Sequence, residues 1–319
     1  MKKSRVALLG LAAAGGAALV ASRRQQAGWR ARLDPDGPGA LVFPEGEDRT
    51  VVASDGAHLA VTVAGKPGTG RPVVLAHGWT NARSVWAPVA RRLIRDGHQV
   101  IAYDQRGHGQ STTGTESFSI ARLGEDLRTI LVDLDVHDAV LAGHSMGGMT
   151  IMALIGDDPV TVKERARAVV LVSTAAGGLS RVAGLDPHIA RLIGSPQVAR
   201  LMAGRYGTRL TRGAVGATPV YEHLDALRTM WAATPREVIR DAFLAISAMD
   251  LRPGLAACPV PAKVLVGSRD QLTRKGLGQV IAQSIPGAEL VVIPGAGHML
   301  PIEQPDRVAD AISRSSANP

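Results

Sequence analysis

The sequence predicts an α/β protein with a mainly parallel, eight-stranded sheet that helices cover on both faces. Two observations carry this prediction. Short, continuous runs of β-branched and aliphatic residues alternate with longer segments of helical period, which is typical of parallel strands buried on both faces. In addition, hydrophobic residues make up 45% of the 319-residue chain, which is enough for one large core.

The first two strands are predicted to form a hairpin. The stretch "TVVASDGAHLAVTVAG" places two apolar runs around Asp55 and Gly56, a dipeptide that favours a tight turn. The hairpin would add an antiparallel edge to the sheet. The six following strands are predicted at 72–78, 99–107, 139–144, 168–174, 262–268 and 288–294. The helices between and after them are predicted at 84–97, 117–135, 146–156, 275–285 and 305–315.

Residues 175–260 interrupt this alternation, because they contain helical patterns but no convincing strand. We expect a helical lid, inserted after the sixth strand, above the carboxyl ends of the strands where open α/β sheets bind ligands. The core would then comprise residues 50–174 and 261–319. Five apolar side chains of the lid are candidates for an acyl pocket, although packing within the lid explains them equally well: Met202, Met230, Trp231, Phe243 and Met249.

Residues 1–32 are predicted to form a basic and apolar N-terminal arm. The uncharged run from Val6 to Ala21 would span ~24 Å as a helix, slightly less than the core of a bilayer. A membrane anchor is the favoured interpretation, which would make the protein membrane-associated. A cleaved signal peptide, and hence export, or a cytoplasmic protein with a frayed start are the alternatives. Residues 33–49 are rich in Pro, Gly and charge, which is typical of a linker.

Composition argues against several classes of function. The arm accounts for +7 of the net charge of +8, so the rest of the chain is nearly neutral and nucleic-acid binding is not expected. Cys258 is the single cysteine, which excludes an intrachain disulfide and a cysteine-based zinc site. The sequence also lacks the common metal-binding and phosphate-loop motifs. We therefore expect neither a metal nor a cofactor.

Ser145 is the candidate nucleophile. It lies in "GHSMG", where Gly143 and Gly147 flank it, directly after a predicted strand and before a helix. In that context the G-x-S-x-G spacing places a serine on a sharp turn, and small neighbours relieve the crowding. The start of the helix offers free N–H groups and a positive dipole end, which suit an oxyanion. A serine hydroxyl also needs a base, usually a histidine held by a carboxylate.

His298 and Asp270 are the candidate base and acid. Among nine histidines, His298 lies in a Gly-rich loop directly after the last predicted strand, at the edge of the sheet where Ser145 emerges. Asp270 lies two residues beyond the seventh strand. Asp250 is the alternative acid, but it precedes that strand instead of following it. The chain order of serine, aspartate and histidine then matches a known triad order.

With these residues in this order, the chain from about residue 50 to 312 resembles the α/β-hydrolase superfamily. The supporting motifs are "HGW" at 77–79, "DQRGHGQS" at 104–111, "GHSMGG" at 143–148, "GSRD" at 267–270 and "GAGHMLPIEQP" at 295–305. The sequence is most similar to the capped branch of serine esterases and lipases, haloperoxidase-like enzymes and C–C hydrolases. The resemblance implies that the backbone N–H groups of Trp79 and Met146 bind the oxyanion. It also implies that His77 and Gly78 shape the first of these loops.

The resemblance further implies a serine hydrolase that acts on carboxylic esters. His298 would take the proton of Ser145, Asp270 would orient His298, and an acyl-enzyme would form and then be hydrolysed. Asp104 and Arg106 correspond to structural residues of the family. Epoxide hydrolases and haloalkane dehalogenases of this fold carry an aspartate at the position of Ser145, so their activities are disfavoured.

Other uses of the same triad remain open at this point. An acyltransferase, thioesterase, perhydrolase or C–C hydrolase would need the same residues, because specificity resides in the lid. A non-catalytic ligand-binding protein of this fold is a further alternative, which the presence of all three candidate triad residues disfavours. The expected partner is a small-molecule ester or acyl substrate, with a membrane surface contacted through residues 1–32. The oligomeric state is open.

Overall fold

A computed structural model describes residues 28–29, 32–37, 39–66, 70–179, 187–204 and 206–316. The apolar run at residues 6–21 lies outside these ranges, so its assignment as an anchor stays a prediction. Within them, no helix combines the length and the apolar character that crossing a membrane requires.

Eight strands of the described chain form one sheet in the order β1-β2-β4-β3-β5-β6-β7-β8. β1 (Gly46–Val52) pairs antiparallel with β2 (His58–Ala64), which pairs antiparallel with β4 (Val100–Tyr103). All other neighbours pair in parallel. The remaining strands are β3 (Val73–Ala76), β5 (Ala139–His144), β6 (Ala166–Val172), β7 (Ala262–Gly267) and β8 (Glu289–Ile293). The predicted mainly parallel sheet with an antiparallel hairpin edge is therefore confirmed.

β1 begins earlier than the sequence predicted. Gly46 pairs with Ala64 and Arg49 with Val61, so the first four residues of the strand lie within the segment predicted as a linker, residues 33–49. The first five residues of β1 are all exposed, because an edge strand of this kind buries little of its surface. They therefore carry no hydrophobic pattern from which a strand could be predicted.

Helices cover both faces of the sheet, as predicted. Alternate residues of β3 point to opposite faces, so that Val74 and Ala76 pack in one hydrophobic cluster and Val73 and Leu75 in the other. The helices of the core are α1 (Ala87–Arg95), α2 (Ile120–Asp133), α3 (Met146–Asp157), α4 (Pro159–Arg165), α10 (Lys275–Ser284), α11 (Leu300–Glu303) and α12 (Pro305–Ser316). α2 and α3 pack in the first cluster, and α1 and α12 in the second.

Residues 175–260, here called the helical insertion, lie between β6 and β7. Their described part contains five α-helices and no strand beyond an isolated bridge between Gly177 and Asp250. These helices are α5 (Pro187–Ile193), α6 (Pro196–Ala203), α7 (Gly207–Thr211), α8 (Tyr221–Ala233) and α9 (Arg236–Ala248). An insertion of helices after the sixth strand is what the sequence predicted.

A buried ion-pair cluster fixes the hairpin turn to the core. Arg106 follows β4 and donates to Asp55 in the hairpin turn and to Asp126 on α2. All three side chains are almost fully buried. A buried charge is tolerated only when it is paired and hydrogen-bonded. The guanidinium of Arg106 meets this condition because it donates to both carboxylates. The cluster therefore supports the structural role that the family resemblance implied for Arg106.

Candidate active site

Ser145 lies on a strained turn between β5 and α3. Its φ of 52° and ψ of −116° fall outside the regions that residues other than glycine normally adopt. Neighbouring elements hold it in place. Its N–H donates to Val172 O at 2.9 Å, and its carbonyl accepts from Thr174 Oγ1 at 2.7 Å and from Gly148 N at 2.9 Å. A strained backbone conformation of this kind persists only where the surrounding contacts hold the residue in it.

The two glycines of the turn are required by close backbone contacts. A Cβ atom on Gly143 would clash with the carbonyl oxygen of Gly147, and one on Gly147 would clash with that of Ala76 at the end of β3. Both clashes are with backbone, which cannot move aside without shifting the sheet or α3. The G-x-S-x-G spacing therefore has a steric reason at both ends.

The structure brings His298 and Asp270 together at the ends of β8 and β7. His298 Nδ1 donates to Asp270 Oδ2 at 3.0 Å, and both side chains are nearly buried, with 7% and 0% exposed. The other carboxylate oxygen accepts the N–H groups of Leu272 and Thr273, each at 2.8 Å. This network fixes the carboxylate and directs Nε2, the second nitrogen of the imidazole, away from the pair.

The environment of Asp270 keeps its carboxyl group ionised. Burial on its own would raise the pKa of Asp270. The charge of His298 and the hydrogen bonds from His298 and Thr273 outweigh that effect, and hold the pKa of this carboxyl well below its ordinary value. An ionised carboxylate at Nδ1 can orient a neutral imidazole and stabilise an imidazolium.

Asp250, the alternative acid, lies elsewhere. It forms an ion pair with Arg252, and its side chain is 47% exposed. The hydrogen bond from Arg252 lowers the pKa of Asp250 to about 2, which is the behaviour of a surface ion pair. The structure does not place it at His298.

Thr273 is a member of this network that the sequence reasoning did not single out. Its Oγ1 donates to Asp270 Oδ2 at 2.7 Å and lies 3.2 Å from His298 Nδ1. The hydroxyl therefore binds the same oxygen that receives the imidazole N–H. Its position three residues after Asp270 was the available signal, because a residue at this spacing commonly donates to an aspartate that begins a turn.

Ser145 and His298 line one cavity of about 570 Å³. No hydrogen bond joins Ser145 Oγ to His298 in the described part of the chain. Catalytic hydrogen bonds are often long before a substrate is bound and tighten with it, so this geometry does not argue against the pair. The cavity is also large enough for a small organic ligand.

The helical insertion supplies most of the apolar wall of the cavity. The large apolar side chains that it contributes are Leu179, Ile193, Val198, Met202, Leu210, Leu227, Trp231, Phe243 and Ile246. Among the described lining residues there is no Lys, Arg, Asp or Glu. Three of the five apolar candidates, Met202, Trp231 and Phe243, line the cavity. Met230 and Met249 instead pack against the two core clusters.

The loop after β3 lies directly against Ser145. A Cβ atom on Gly78 would come within 3.2 Å of Ser145 Cβ, so the loop backbone passes close to Ser145. The next residue, Trp79, also lines the cavity. Met146 is the first residue of α3, so its N–H has no partner within the helix. Both predicted oxyanion donors thus belong to backbone segments that flank Ser145.

Three further hydrogen bonds hold this loop in place. His77 Nε2 accepts from Gln105 N at 2.9 Å, which leaves Nδ1 to donate to Gly78 O at 2.8 Å. Burial lowers the pKa of His77 to about 4, so this pattern of one donor and one acceptor persists at neutral pH. On the other side, the indole Nε1 of Trp79 donates to Ile239 O at 3.2 Å, in the helical insertion.

The comparisons with known proteins agree with this fold. Residues 73–311 match the model of the alpha/beta hydrolase family. The chain is 27% identical to a non-heme chloroperoxidase of Kitasatospora aureofaciens, over 72% of this chain and 86% of that protein. It is 30% identical to 3-oxoadipate enol-lactonase 2 of Acinetobacter baylyi, over 69% of this chain and 79% of that protein. It is 26% identical to an esterase of Thermogutta terrifontis of known structure, with a TM-score of 0.68. That match covers 86% of this chain and 100% of the esterase chain. The chain therefore belongs to the alpha/beta hydrolase family.

Proposed function

We propose that the protein is a serine hydrolase of carboxylic esters, with Ser145 as nucleophile, His298 as base and Asp270 as the residue that orients the base. The observation that carries the proposal is the convergence of three separate strand ends. Ser145 follows β5, Asp270 follows β7 and His298 follows β8, and the serine and the histidine share one cavity. Their separation along the chain makes a purely local explanation, such as turn formation, insufficient.

The proposed reaction has two stages. His298 Nε2 takes the proton of Ser145 Oγ as this oxygen attacks the carbonyl carbon of the ester. The intermediate collapses to an acyl-enzyme, and the alcohol leaves with the proton from His298. Water, deprotonated by His298, then attacks the acyl-enzyme, which releases the carboxylic acid and restores Ser145.

The oxyanion of each stage would be bound by the backbone N–H groups of Trp79 and Met146. Donors that are already in place lower the barrier because they need no reorganisation when the charge develops, and one such donor contributes ~3 kcal/mol. The position of Ser145 supports this role, since it lines the cavity and directly precedes Met146, whose N–H has no partner within the helix.

The wall of the cavity favours a neutral ester with an apolar acyl group. An anionic substrate would lose its hydration without gaining a cationic partner among the described lining residues, which is costly. Desolvation of an apolar chain against the helical insertion is favourable instead. In this proposal the helical insertion acts as the lid of the cavity.

The second candidate is a perhydrolase, in which hydrogen peroxide replaces water as the acceptor of the acyl group. The similarity to a chloroperoxidase favours it. The two candidates share the acyl-enzyme and differ only in its second stage. Activity with hydrogen peroxide as acceptor therefore distinguishes them.

The test is a series of p-nitrophenyl esters of increasing acyl length, with the native chain and with Ser145→Ala. We expect hydrolysis and labelling by a fluorophosphonate probe with the native chain, and a loss of kcat on the order of 10⁶ in the variant, as in other triads. Full labelling of Ser145→Ala would show that the nucleophile lies elsewhere. Adding hydrogen peroxide or a primary alcohol then identifies the preferred acceptor.

A further inference from the structure

The backbone of His298 is held from two sides. Its N–H donates to Ala214 O in the helical insertion, and its carbonyl accepts from His144 Nε2, each at 2.9 Å. Burial lowers the pKa of His144 to about 3, so this imidazole stays neutral and keeps a single N–H to donate. Both polar groups of the His298 backbone are thus engaged, one by the helical insertion and one by the residue before Ser145.

Glu303 on α11 binds the peptide groups on either side of His298. One carboxylate oxygen, Oε1, accepts the N–H of Met299 at 3.0 Å. The other, Oε2, accepts the N–H of Gly297 at 3.0 Å and that of Gly216 in the helical insertion at 2.7 Å. A single carboxylate therefore joins the His298 loop to the insertion.

Residues 214–217, here called the strap, lie in close contact with this loop. Ala217 N donates to Gly295 O at 2.9 Å. A Cβ atom on Gly216 would clash with the carbonyl oxygen of Gly295, and one on Gly297 would clash with the backbone nitrogen of Gly216. The two segments are therefore packed backbone against backbone, at a separation that a side chain at either glycine would not permit.

The position of Glu303 has an energetic cost. Burial raises the pKa of the Glu303 carboxyl, and the three N–H groups oppose that shift without cancelling it. Three backbone N–H groups of the His298 loop and the strap thus converge on one partly buried carboxylate. Such a carboxylate can fix the backbone of the His298 loop in one position.

We propose that Glu303 is a positioning residue that ties the strap to the His298 loop, so that the helical insertion completes the catalytic centre in addition to covering it. The inference rests on the proposed function, because it concerns the placement of the base. Gly213 and Ala214 also line the cavity, so the segment that holds His298 forms part of the wall that would contact a substrate.

The main test is Glu303→Gln, which keeps the size of the side chain but turns one acceptor oxygen into a donor that faces N–H groups. We expect kcat to fall on the order of 10²-fold, the cost of a displacement of about 1 Å at a catalytic group, while KM changes little. Rates are normalised to the number of sites that the fluorophosphonate probe labels, so that unfolded protein does not contribute. The matched control is Glu289→Gln, an exposed glutamate paired with Lys263, which should leave kcat unchanged.

A second variant approaches the same contact from the insertion. Gly216→Ala places a methyl group against Gly295 O and should lower kcat as Glu303→Gln does. The double variant should lose little more than the worse single variant, because both changes break one link. Full additivity would contradict the proposed link. A spectroscopic readout is the low-field proton resonance of His298 Nδ1–H, which should weaken in Glu303→Gln and persist in Glu289→Gln.

Native kcat per labelled site in Glu303→Gln, with an unchanged low-field resonance, would overturn the inference. His298→Ala separates this result from a failure of the proposed function. If His298→Ala is inactive while Glu303→Gln is fully active, only the positioning role fails. If His298→Ala still hydrolyses esters, the proposed function fails with it.

Discussion

The two sides of the cavity differ in chemistry. The side formed by the core carries polar side chains, among them Ser145, Thr273 and His298 at the ends of strands, which include the proposed nucleophile and base. The side formed by the helical insertion is almost entirely apolar, with Trp231, Phe243 and the aliphatic residues around them. One cavity thus joins a polar, rigid floor to an apolar wall.

This difference follows from what each side can hold in place. Strands locked into a sheet fix the directions of side chains at their ends, which hydrogen bonds and proton transfer require. Apolar contacts have no such directional demand, so helices inserted above the sheet can supply them. The comparison implies that changes to the floor alter the rate of the reaction, whereas changes to the wall alter the choice of substrate.

After the loss expected for Ser145→Ala, the next largest effect is expected in the floor. Asp270→Asn keeps the shape of the side chain but removes the charge that holds the Nδ1–H tautomer of His298, so we expect kcat to fall by roughly 10⁴. The measurement is kcat for a p-nitrophenyl ester. Asp250→Asn is the matched control and should retain native activity, since Asp250 lies in a surface ion pair. The reverse outcome, with Asp250→Asn inactive, would show that the wrong acid has been assigned.

An intermediate effect is expected on the free energy of unfolding at low pH, because the core beneath the floor contains buried neutral histidines. Burial lowers the pKa of His77 to about 4 and those of His108 and His144 to about 3, below the unfolded value of about 6.5. Between these values the unfolded state binds more protons. Stability should therefore be complete above about pH 6.5 and should fall as the pH drops towards 4, with a loss on the order of 2 kcal/mol per histidine at pH 5.

Urea unfolding at pH 7 and pH 5 measures this effect. Asp126 and Glu303, whose pKa values are raised mainly by burial, would offset part of the loss. His108→Gln should make the free energy of unfolding less dependent on pH, because it removes one of the three buried imidazoles. Equal free energies of unfolding at the two pH values in the native chain would refute the prediction.

The smallest effect is expected in the wall. Phe243→Ala removes a side chain that lines the cavity and packs against Trp79, with ring centroids 5.7 Å apart. The extra space should shift the ratio of kcat/KM towards longer acyl chains by roughly tenfold, the usual scale for apolar pockets. Its neighbour Leu244 is 38% exposed and does not line the cavity, so Leu244→Ala is the matched control. A uniform loss of rate at every chain length would contradict the division between floor and wall.

The sequence predicted the floor better than the wall. The proximity of Asp270 and His298 was predictable because the carboxyl ends of parallel strands share one edge of the sheet. Residues that directly follow such strands therefore lie close together. The roles of Met230 and Glu303 were not predictable in this way. Met230 packs against a core cluster instead of lining the cavity, and Glu303 binds Gly216, which lies 87 residues away. Such contacts depend on the position and orientation of the helices relative to the sheet, which the hydrophobic periodicity of the sequence does not determine.

One contact described above links the two sides. Trp79 contributes its backbone to the loop beside Ser145, while its indole donates to Ile239 O and packs against Trp231 at 5.0 Å. The helical insertion is consequently not an interchangeable module. A graft of the corresponding helices from another member of the family would keep this hydrogen bond only if it placed a backbone carbonyl where Ile239 O lies, so an exchange of specificity has to match the helices to the residue at position 79.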